Sequence, residues 1–231
     1  MHQASGIMVV EKLTDIPLNA DVVLLDLDNT LYDYEHCHEI GMRFMLKKWE
    51  ERQGGDAKQF EKAYQRSRQE VKQRHPDKAI SHSRLFYSQG AVESLLNTTD
   101  AGLILELYAG YWDNFIQSMQ LYDDVLPFLA ACKKINVPVV LVTDMTAHVQ
   151  FRKVVHLGIN AYFSFIVTSE EAGMEKPHAA IYLLAIEKAK RIKSKIERIL
   201  IAGDDDSRDH FISDKYHVVN CYIRRHGAEN S

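Results

Sequence analysis

Two aspartates stand at the end of one unbroken aliphatic segment near the start of the chain. Residues 22–25 are all valine or leucine, and Asp26 and Asp28 follow them with Leu27 between. A short apolar run bounded by charge is typical of a strand that is buried on both faces. Open α/β sheets bind their ligands beyond the carboxyl ends of their strands. The paired acids therefore predict a site of chemistry at the end of this strand.

Polar residues adjoin three further elements in the second half of the chain. They are Thr143 after the apolar run 138–142, Gly203 and Asp204 after the run 199–202, and Lys176 just before a predicted helix. The carboxyl ends of parallel strands meet at one edge of a sheet, so we expect these residues to gather with the paired acids. Taken singly, each could instead be a cap, a turn residue or a solvated charge. Taken together, they favour one pocket.

The elements that must position these residues alternate between strand and helix. Predicted strands lie at 138–142, 165–167, 199–202 and 218–223, with helices at 125–134 and 147–157 and a helix that Pro177 opens, since proline fits the first helical position. This alternation predicts βαβ units and a parallel sheet. We expect an α/β fold with a Rossmann-like three-layer core, preceded by a short strand within 7–10.

A long helical segment interrupts this pattern. From 33 to 121 the sequence has helical periodicity, as in Phe60, Tyr64, Ser67 and Val71, and it offers no strand to the sheet. We therefore expect residues 1–32 and 122–231 to form the core domain and residues 33–121 to form an inserted all-α cap domain. The aromatic residues of the insertion are expected in the interior of a helical bundle.

Composition excludes several classes of protein. The 231 residues are 46% hydrophobic with a formal charge of -4, so the chain has no basic field for nucleic acid. No apolar run reaches the roughly 20 residues needed to cross a bilayer, and residues 1–20 lack a secretion signal. Three cysteines without CxxC spacing are expected to be free thiols, which indicates a cytoplasmic protein. Arg224, Arg225 and the residues after them are expected to be a frayed tail.

Four motifs resemble those of the haloacid dehalogenase (HAD) superfamily. In order and spacing they are Asp26-Leu27-Asp28-Asn29-Thr30, Thr143, Lys176-Pro177, and Gly203-Asp204 with Asp209. The helical insertion after the first motif resembles the type 1 cap, and segments 142–146 and 168–177 resemble small-phosphatase-like members. Asn29 stands where glycine is frequent in that superfamily, and asparagine also accepts unusual backbone angles.

The resemblance implies phosphoryl transfer through the first motif. Asp26 would be the nucleophile and would form an aspartyl-phosphate, and Asp28 would be the general acid and then the general base. By the same resemblance, carbon–halogen hydrolases lack the second aspartate, because a halide needs no proton. The presence of Asp28 therefore favours a phosphatase.

The resemblance also implies Mg²⁺, which suits oxygen-only ligands beside a phosphate. The expected metal ligands are the carboxylates of Asp26 and Asp204, the backbone carbonyl of Asp28, and Asp209 as an outer acid, which spacing favours over Asp205. The expected substrate-binding residues are Asp26, Leu27, Asp28, Thr143, Asp144 and Lys176. Of these, Thr143 would donate its hydroxyl to the phosphoryl group and Lys176 would neutralise its charge.

The function expected is hydrolysis of a small phosphomonoester with Mg²⁺, without nucleic-acid or membrane partners. A phosphomutase shares every motif and is the alternative within the superfamily. In a different class, the same acids, threonine and lysine could serve a non-catalytic phospho-aspartate receiver or a binding protein. Cap residues commonly set substrate choice in this superfamily, and five residues are candidates to line the entrance near the start of the cap: Tyr32, Asp33, His36, His38 and Arg84.

Overall fold

A six-stranded parallel sheet forms the centre of the core unit. In the computed structural model, which describes residues 7–225, the chain divides into a core unit, Met1–Asp33 and Gln120–Ser231, and a cap unit, Tyr34–Met119. The strands are β1 Met8–Val10, β2 Val22–Leu25, β3 Val139–Thr143, β4 Phe165–Thr168, β5 Arg198–Gly203 and β6 His217–Ile223. The predicted α/β fold with a parallel sheet is confirmed.

The order of the strands places β2 at the point where the chain reverses direction across the sheet. The order is β1-β6-β5-β2-β3-β4, so β2 pairs with β3 on one side and with β5 on the other. Leu25 at the end of β2 is level with Leu141 and with Ala202. A crevice forms where crossovers leave in opposite directions, and the residues after β2 lie at its mouth.

Burial on both faces explains why the central strands are uninterrupted aliphatic runs. Every residue of β2 and β3 is buried. On one face they pack against the helix Ala179–Ala189 (α8), whose buried residues include Ile181 and Ile186. A parallel sheet covered on both faces needs such runs, so the polar residues next to β2 and β3 lie where these strands end.

Within residues 7–225, four α-helices lie between the strands of the core unit. They are α5 Val125–Lys134, α6 Ala147–His156, α7 Ser169–Ala172 and α8 Ala179–Ala189. The prediction that Pro177 opens α8 is wrong by two residues. His178 is the N-cap and its Nδ1 accepts a hydrogen bond from the amide of Ala180 at 3.2 Å, so the helix begins only after it.

The cap unit is all-helical. Its helices are α1 Tyr34–Gln53, α2 Ala57–Arg74, α3 Arg84–Leu96 and α4 Ala101–Gln117. Asp56, Ser83 and Asp100 cap the last three by accepting a hydrogen bond from a backbone amide of the first turn. The four residues predicted to form the apolar face of α2 are buried. Several aromatic side chains of the insertion are also buried inside the cap. No helix within residues 7–225 has the length and apolar character that a bilayer crossing requires.

The two residues that follow β6 in the described part of the chain make specific contacts with the core unit. The amide of Arg224 donates to the carbonyl of Val10 at 2.8 Å, and the side chain of Arg225 is 9% exposed. The expectation of a frayed tail is wrong for these two residues, because backbone pairing to β1 and an ion pair hold them. His226 and later residues lie outside the described part of the chain.

Candidate active site

Three carboxylates converge at the carboxyl end of β2 and β5. One oxygen from each of Asp26, Asp204 and Asp209 lies within 4.8 Å of the others. Asp26 is placed by the sheet itself, because its amide donates to the carbonyl of Ala202 at 2.9 Å. Asp204 directly follows β5, and the amide of Asp209 donates to the carbonyl of Asp205 at 2.7 Å. Two strand ends and one turn thus bring together acids that are 183 residues apart at the extremes, from position 26 to position 209.

A buried lysine bridges two of these acids. The ammonium of Lys176 lies 2.5 Å from Asp26 and 2.6 Å from Asp209, and the residue is 7% exposed. Its backbone amide donates to the Asp144 carboxylate at 3.0 Å, and Arg208 donates to the other oxygen of Asp144 at 2.5 Å. The loop after β3 therefore fixes the backbone from which Lys176 reaches the acids.

Thr30 connects the residue after β2 with the residue after β5 through hydrogen bonds. Its buried hydroxyl lies 2.8 Å from the Asp26 carboxylate and 3.1 Å from that of Asp204, and it accepts a hydrogen bond from the Asp204 amide at 3.0 Å. Asn29 precedes it with φ of 60°, in the left-handed region that asparagine tolerates. The turn after the paired acids thus folds back onto the carboxylates.

The acidic cluster carries more negative charge than Lys176 can neutralise. Burial, together with the neighbouring acids, holds the pKa of Asp26 well above its usual value despite the charge of Lys176. Burial and the charge of Asp209 raise the pKa of Asp204 to about 7, and burial also raises that of Asp209. Close like charges out of water disfavour ionisation. An added cation would remove this penalty.

The donor set of the cluster fits Mg²⁺. All three side chains offer oxygen, which is the ligand that this ion takes, and the excess charge is negative. Gly203 makes room for the arrangement, since a Cβ at that position would lie 1.9 Å from a carboxylate oxygen of Asp209. Asp205 instead accepts bonds from Ser207 and Arg208 within its own turn. Of the two acids weighed from the sequence, Asp209 is the one in the cluster.

Asp28 has the opposite environment, although only Leu27 separates it from Asp26. The fully buried Lys153 donates to one oxygen at 2.7 Å, Gln150 donates to the other at 3.1 Å, and the Tyr32 hydroxyl also donates to Asp28. Burial alone would raise the pKa of Asp28, but the charge of Lys153 and these three donors outweigh it and lower the pKa below its usual value. The structure therefore holds Asp28 as a carboxylate.

Lys153 and Gln150 are site residues that were not predicted from the sequence. Both lie on the buried face of α6 with Val149 and Val154. A lysine and a glutamine on the apolar side of an amphipathic helix are exceptions to its pattern, and such exceptions are the signal that was available. Their partner, Asp28, is more than 120 residues away in sequence, so the pairing itself could not be read from the pattern.

The other predicted substrate-binding residues lie beside these groups. Thr143 is buried, and its hydroxyl accepts a hydrogen bond from Gln150 at 2.5 Å. Leu27 is fully buried. The Asp144 carboxylate is occupied by Arg208 and by the Lys176 amide, so its side chain supports the lysine loop.

The residues considered for substrate choice divide between the two units. Tyr32 belongs to the core, where it donates to Asp28. Within the cap, Arg84 is 6% exposed and donates to the Tyr34 hydroxyl and to the carbonyl of His82. His38 shares a hydrogen bond with Tyr111, and burial together with the charge of Arg84 lowers its pKa to about 4. Arg84 and His38 are thus engaged inside the cap.

Known proteins are similar to this chain in sequence and in architecture. A family model described as haloacid dehalogenase-like hydrolase matches residues 20–209. A ribulose-1,5-bisphosphate 5-phosphatase of Halopiger xanaduensis is 32% identical over 191 residues, 82% of this chain and 79% of that protein. A glyceraldehyde 3-phosphate phosphatase of Methanopyrus kandleri is 28% identical, covering 88% and 83%. The structure of a 2-haloacid dehalogenase from Pseudomonas syringae aligns with a TM-score of 0.63 at 22% identity, covering 88% and 80%.

Proposed function

This chain belongs to the haloacid dehalogenase-like hydrolase family, and we propose that it hydrolyses a small sugar phosphate through Asp26 with Mg²⁺ as cofactor. Its curated relatives are phosphatases, so the chain is a hydrolase of phosphate esters. The finer parts of the proposal are the class of substrate, the covalent intermediate and the metal. They rest on the contacts around the two aspartates.

The observation that carries the proposal is the contrast between the environments of Asp26 and Asp28. Asp26 lies among acids and one lysine, whereas Asp28 lies among donors that belong to α6 and to Tyr32. Neighbouring acids in different environments are the usual arrangement for two different catalytic roles. The nucleophile must be ionised, and Lys176 together with a cation bound by the cluster would hold Asp26 in that form, despite the raised pKa that burial among the other acids gives it. Asp28 lies outside the cluster, which supports it as the proton carrier.

In the first step, a carboxylate oxygen of Asp26 attacks phosphorus and the bond from phosphorus to the leaving oxygen breaks. Thr30 and Lys176 each hold one oxygen of Asp26, at 2.8 Å and 2.5 Å, and so fix the direction of attack. Protonated Asp28 gives its proton to the leaving oxygen. The products are the free alcohol and an aspartyl-phosphate on Asp26.

In the second step, water attacks the phosphorus and passes a proton to Asp28. The bond between phosphorus and the Asp26 oxygen breaks, so phosphate is released and Asp26 is regenerated. The ionised form of Asp28 is the base that this step needs, and it is the form that Lys153, Gln150 and Tyr32 stabilise. Loading Asp28 with a proton for the first step costs free energy against the same contacts. Those contacts therefore favour the hydrolytic half of the cycle.

We assign the metal to Asp26, Asp204 and Asp209, with the backbone carbonyl of Asp28 as a further ligand. A bound Mg²⁺ would supply positive charge to the phosphoryl oxygens and to the acids. Lys176 adds a second positive charge next to Asp26, and its contact with Asp209 holds the ammonium in place. These residues would compensate the negative charge that phosphoryl transfer concentrates in the site.

The proposed substrates are small sugar phosphates, since the named relatives act on ribulose 1,5-bisphosphate and on glyceraldehyde 3-phosphate. No partner beyond such a small molecule is part of the proposal. We also propose a cytoplasmic location, which the three free, buried cysteines support. Fractionation of the native host followed by immunodetection tests the location separately.

The test is release of inorganic phosphate by the purified protein from glyceraldehyde 3-phosphate, ribulose 1,5-bisphosphate, ribulose 5-phosphate and a nucleotide monophosphate. Each is assayed with Mg²⁺ and with EDTA. Asp26→Asn is the inactive variant, and Asp206→Asn is the matched control, because Asp206 is an exposed acid on the loop after β5 that lies outside the cluster. We expect Mg²⁺-dependent release that is lost in Asp26→Asn and kept in Asp206→Asn.

Other outcomes select the alternatives. Activity that survives in Asp26→Asn contradicts the covalent mechanism. Conversion of a sugar phosphate to its isomer without free phosphate identifies a phosphomutase, and a stable phosphoprotein formed by a histidine kinase without turnover identifies a receiver. Release from the nucleotide alone contradicts the proposed class of substrate.

A further inference from the structure

An arginine that follows the last strand donates to the backbone of Thr30, whose side chain contacts the acidic cluster. Arg225 lies two residues beyond the end of β6, and its side chain is 9% exposed. Nothing in the proposed reaction uses it. A buried guanidinium at the edge of a sheet needs partners for its five donor hydrogens, and those partners show what it positions.

The guanidinium of Arg225 contacts two segments that are far apart in sequence. One terminal nitrogen, Nη1, lies 2.9 Å from both oxygens of Asp124. Nε and Nη2 both donate to the backbone carbonyl of Thr30, at 3.0 Å and 2.6 Å. The group also lies 4.3 Å from the centre of the Tyr122 ring, which fixes its plane. Each nitrogen is therefore committed, and only a planar fork satisfies all these contacts.

Asp124 is itself held in place. Its carboxylate accepts a hydrogen bond from the amide of the fully buried Leu13 at 2.6 Å, in addition to its pair with Arg225. The anchor of Arg225 is thus fixed to the packed interior of the core unit. Movement of the guanidinium would break an ion pair that is largely out of water, which is costly.

Thr30 connects this anchor to the site. Arg225 holds its carbonyl, and its hydroxyl contacts the carboxylates of Asp26 and Asp204. The same residue therefore receives two hydrogen bonds from Arg225 on its backbone and contacts two candidate metal ligands with its side chain. A shift of the Thr30 backbone would change the separation of those two carboxylates.

We propose that Arg225 is a positioning residue that sets, through Thr30, the geometry between Asp26 and Asp204. The inference rests on the proposed function, because it assigns both acids to the metal. Arg225 touches neither acid, so its effect passes entirely through the Thr30 carbonyl. Substitution of partners behind metal ligands costs about 10- to 100-fold in metal affinity or activity.

The experiment compares Arg225→Gln and Arg225→Lys with Arg224→Gln, which removes the charge of the exposed neighbour. Mg²⁺ affinity is measured by calorimetry at a temperature at which each variant is folded, and kcat and KM are measured with the best sugar phosphate of the panel. We expect Arg225→Gln to weaken Mg²⁺ binding about 10-fold and to lower kcat with little change in KM. Arg225→Lys keeps the positive charge but loses the planar, forked set of donors. Compared with Arg225→Gln, it should recover more of the wild-type stability than of the wild-type Mg²⁺ affinity.

The outcomes separate this inference from the proposed function. If the wild type binds Mg²⁺ and releases phosphate while folded Arg225→Gln does both equally well, Arg225 only fastens the end of the chain and the inference is wrong. If Arg225→Gln does not fold, the same comparison is made with Arg225→Lys. If the wild type itself neither binds Mg²⁺ nor releases phosphate, the proposed function is wrong, and the inference is overturned with it.

Discussion

Asparagine in place of Asp26 or of Asp28 removes one carboxylate in each case, yet we expect the free energy of unfolding to change in opposite directions. Asp28 is the charge partner of the buried Lys153, and its pKa lies below the usual value. Asp26 lies among other acids, and its pKa lies well above the usual value. Folding therefore stabilises the carboxylate form of Asp28 and destabilises the carboxylate form of Asp26.

The magnitudes follow from the partners that remain. Asp28→Asn leaves the ammonium of Lys153, which is 0% exposed, without a counter-charge, and breaking such a buried pair costs about 3–5 kcal/mol. Asp26→Asn leaves Lys176 paired with Asp209 at 2.6 Å, so no charge is abandoned. It removes a penalty of about 1.4 kcal/mol for each unit by which the pKa is raised. The two variants should therefore differ by about 4 kcal/mol or more at pH 7 without metal.

The dependence on pH has opposite sign in the two cases. The stabilisation by Asp28 is complete above its unfolded pKa near 3.8 and is lost only as pH falls through the lower folded pKa. The penalty of Asp26 is absent below 3.8 and grows as pH rises through the raised folded pKa. Near pH 4, we expect the gain of Asp26→Asn to have disappeared and the loss of Asp28→Asn to persist.

The assay is urea unfolding in EDTA at pH 7 and at pH 4. Unfolding is monitored by hydrogen exchange of the backbone amides of β2 and β5. Both tryptophans, Trp49 and Trp112, belong to the cap, so fluorescence would report on that unit. The double variant Asp28→Asn/Lys153→Met is the matched control and should recover most of the loss, because no unpaired charge remains. The reasoning is refuted if Asp28→Asn is as stable as the wild type at pH 7, or if Asp26→Asn is less stable.

Three further outcomes can be measured on the same site. Mg²⁺ binding at pH 7 should release at least about half a proton from Asp204, whose pKa is about 7; calorimetry in buffers of different ionisation enthalpy measures this, and no release contradicts the assignment of Asp204 to the metal. Gly203→Ala should displace Asp209, since its Cβ would lie 1.9 Å from the carboxylate; we expect a loss of about 1–3 kcal/mol in urea unfolding and weaker Mg²⁺ binding. Lys176→Met should abolish phosphate release and, without metal, make stability fall more steeply between pH 5 and pH 8 than in the wild type, because three acids then lack a cation.

The strands could be predicted from the sequence because their burial leaves a local signature. The aliphatic run 22–25 and the polar residue after each later run placed the ends of the sheet correctly. The partners of Asp28 and Thr30 could not be predicted in this way. Lys153 and Arg225 act through pairings over more than 120 residues, and no local pattern encodes such a distance. The start of α8 was misplaced because proline at a first turn is only a statistical preference, which the His178 cap overrides.

The chain leaves the core unit for the cap and returns to it at one place. Tyr32 pairs with Leu121, and the amide of Tyr122 donates to the carbonyl of Leu31 at 3.0 Å. The two ends of the insertion are therefore already joined by the core, as the ends of a short loop would be. Doubling the length of a loop with fixed ends costs only about 0.6 kcal/mol in closure entropy. We therefore expect that the cap can be exchanged for a shorter or longer insertion while Asp26, Lys176 and Thr30 keep their positions in the core unit.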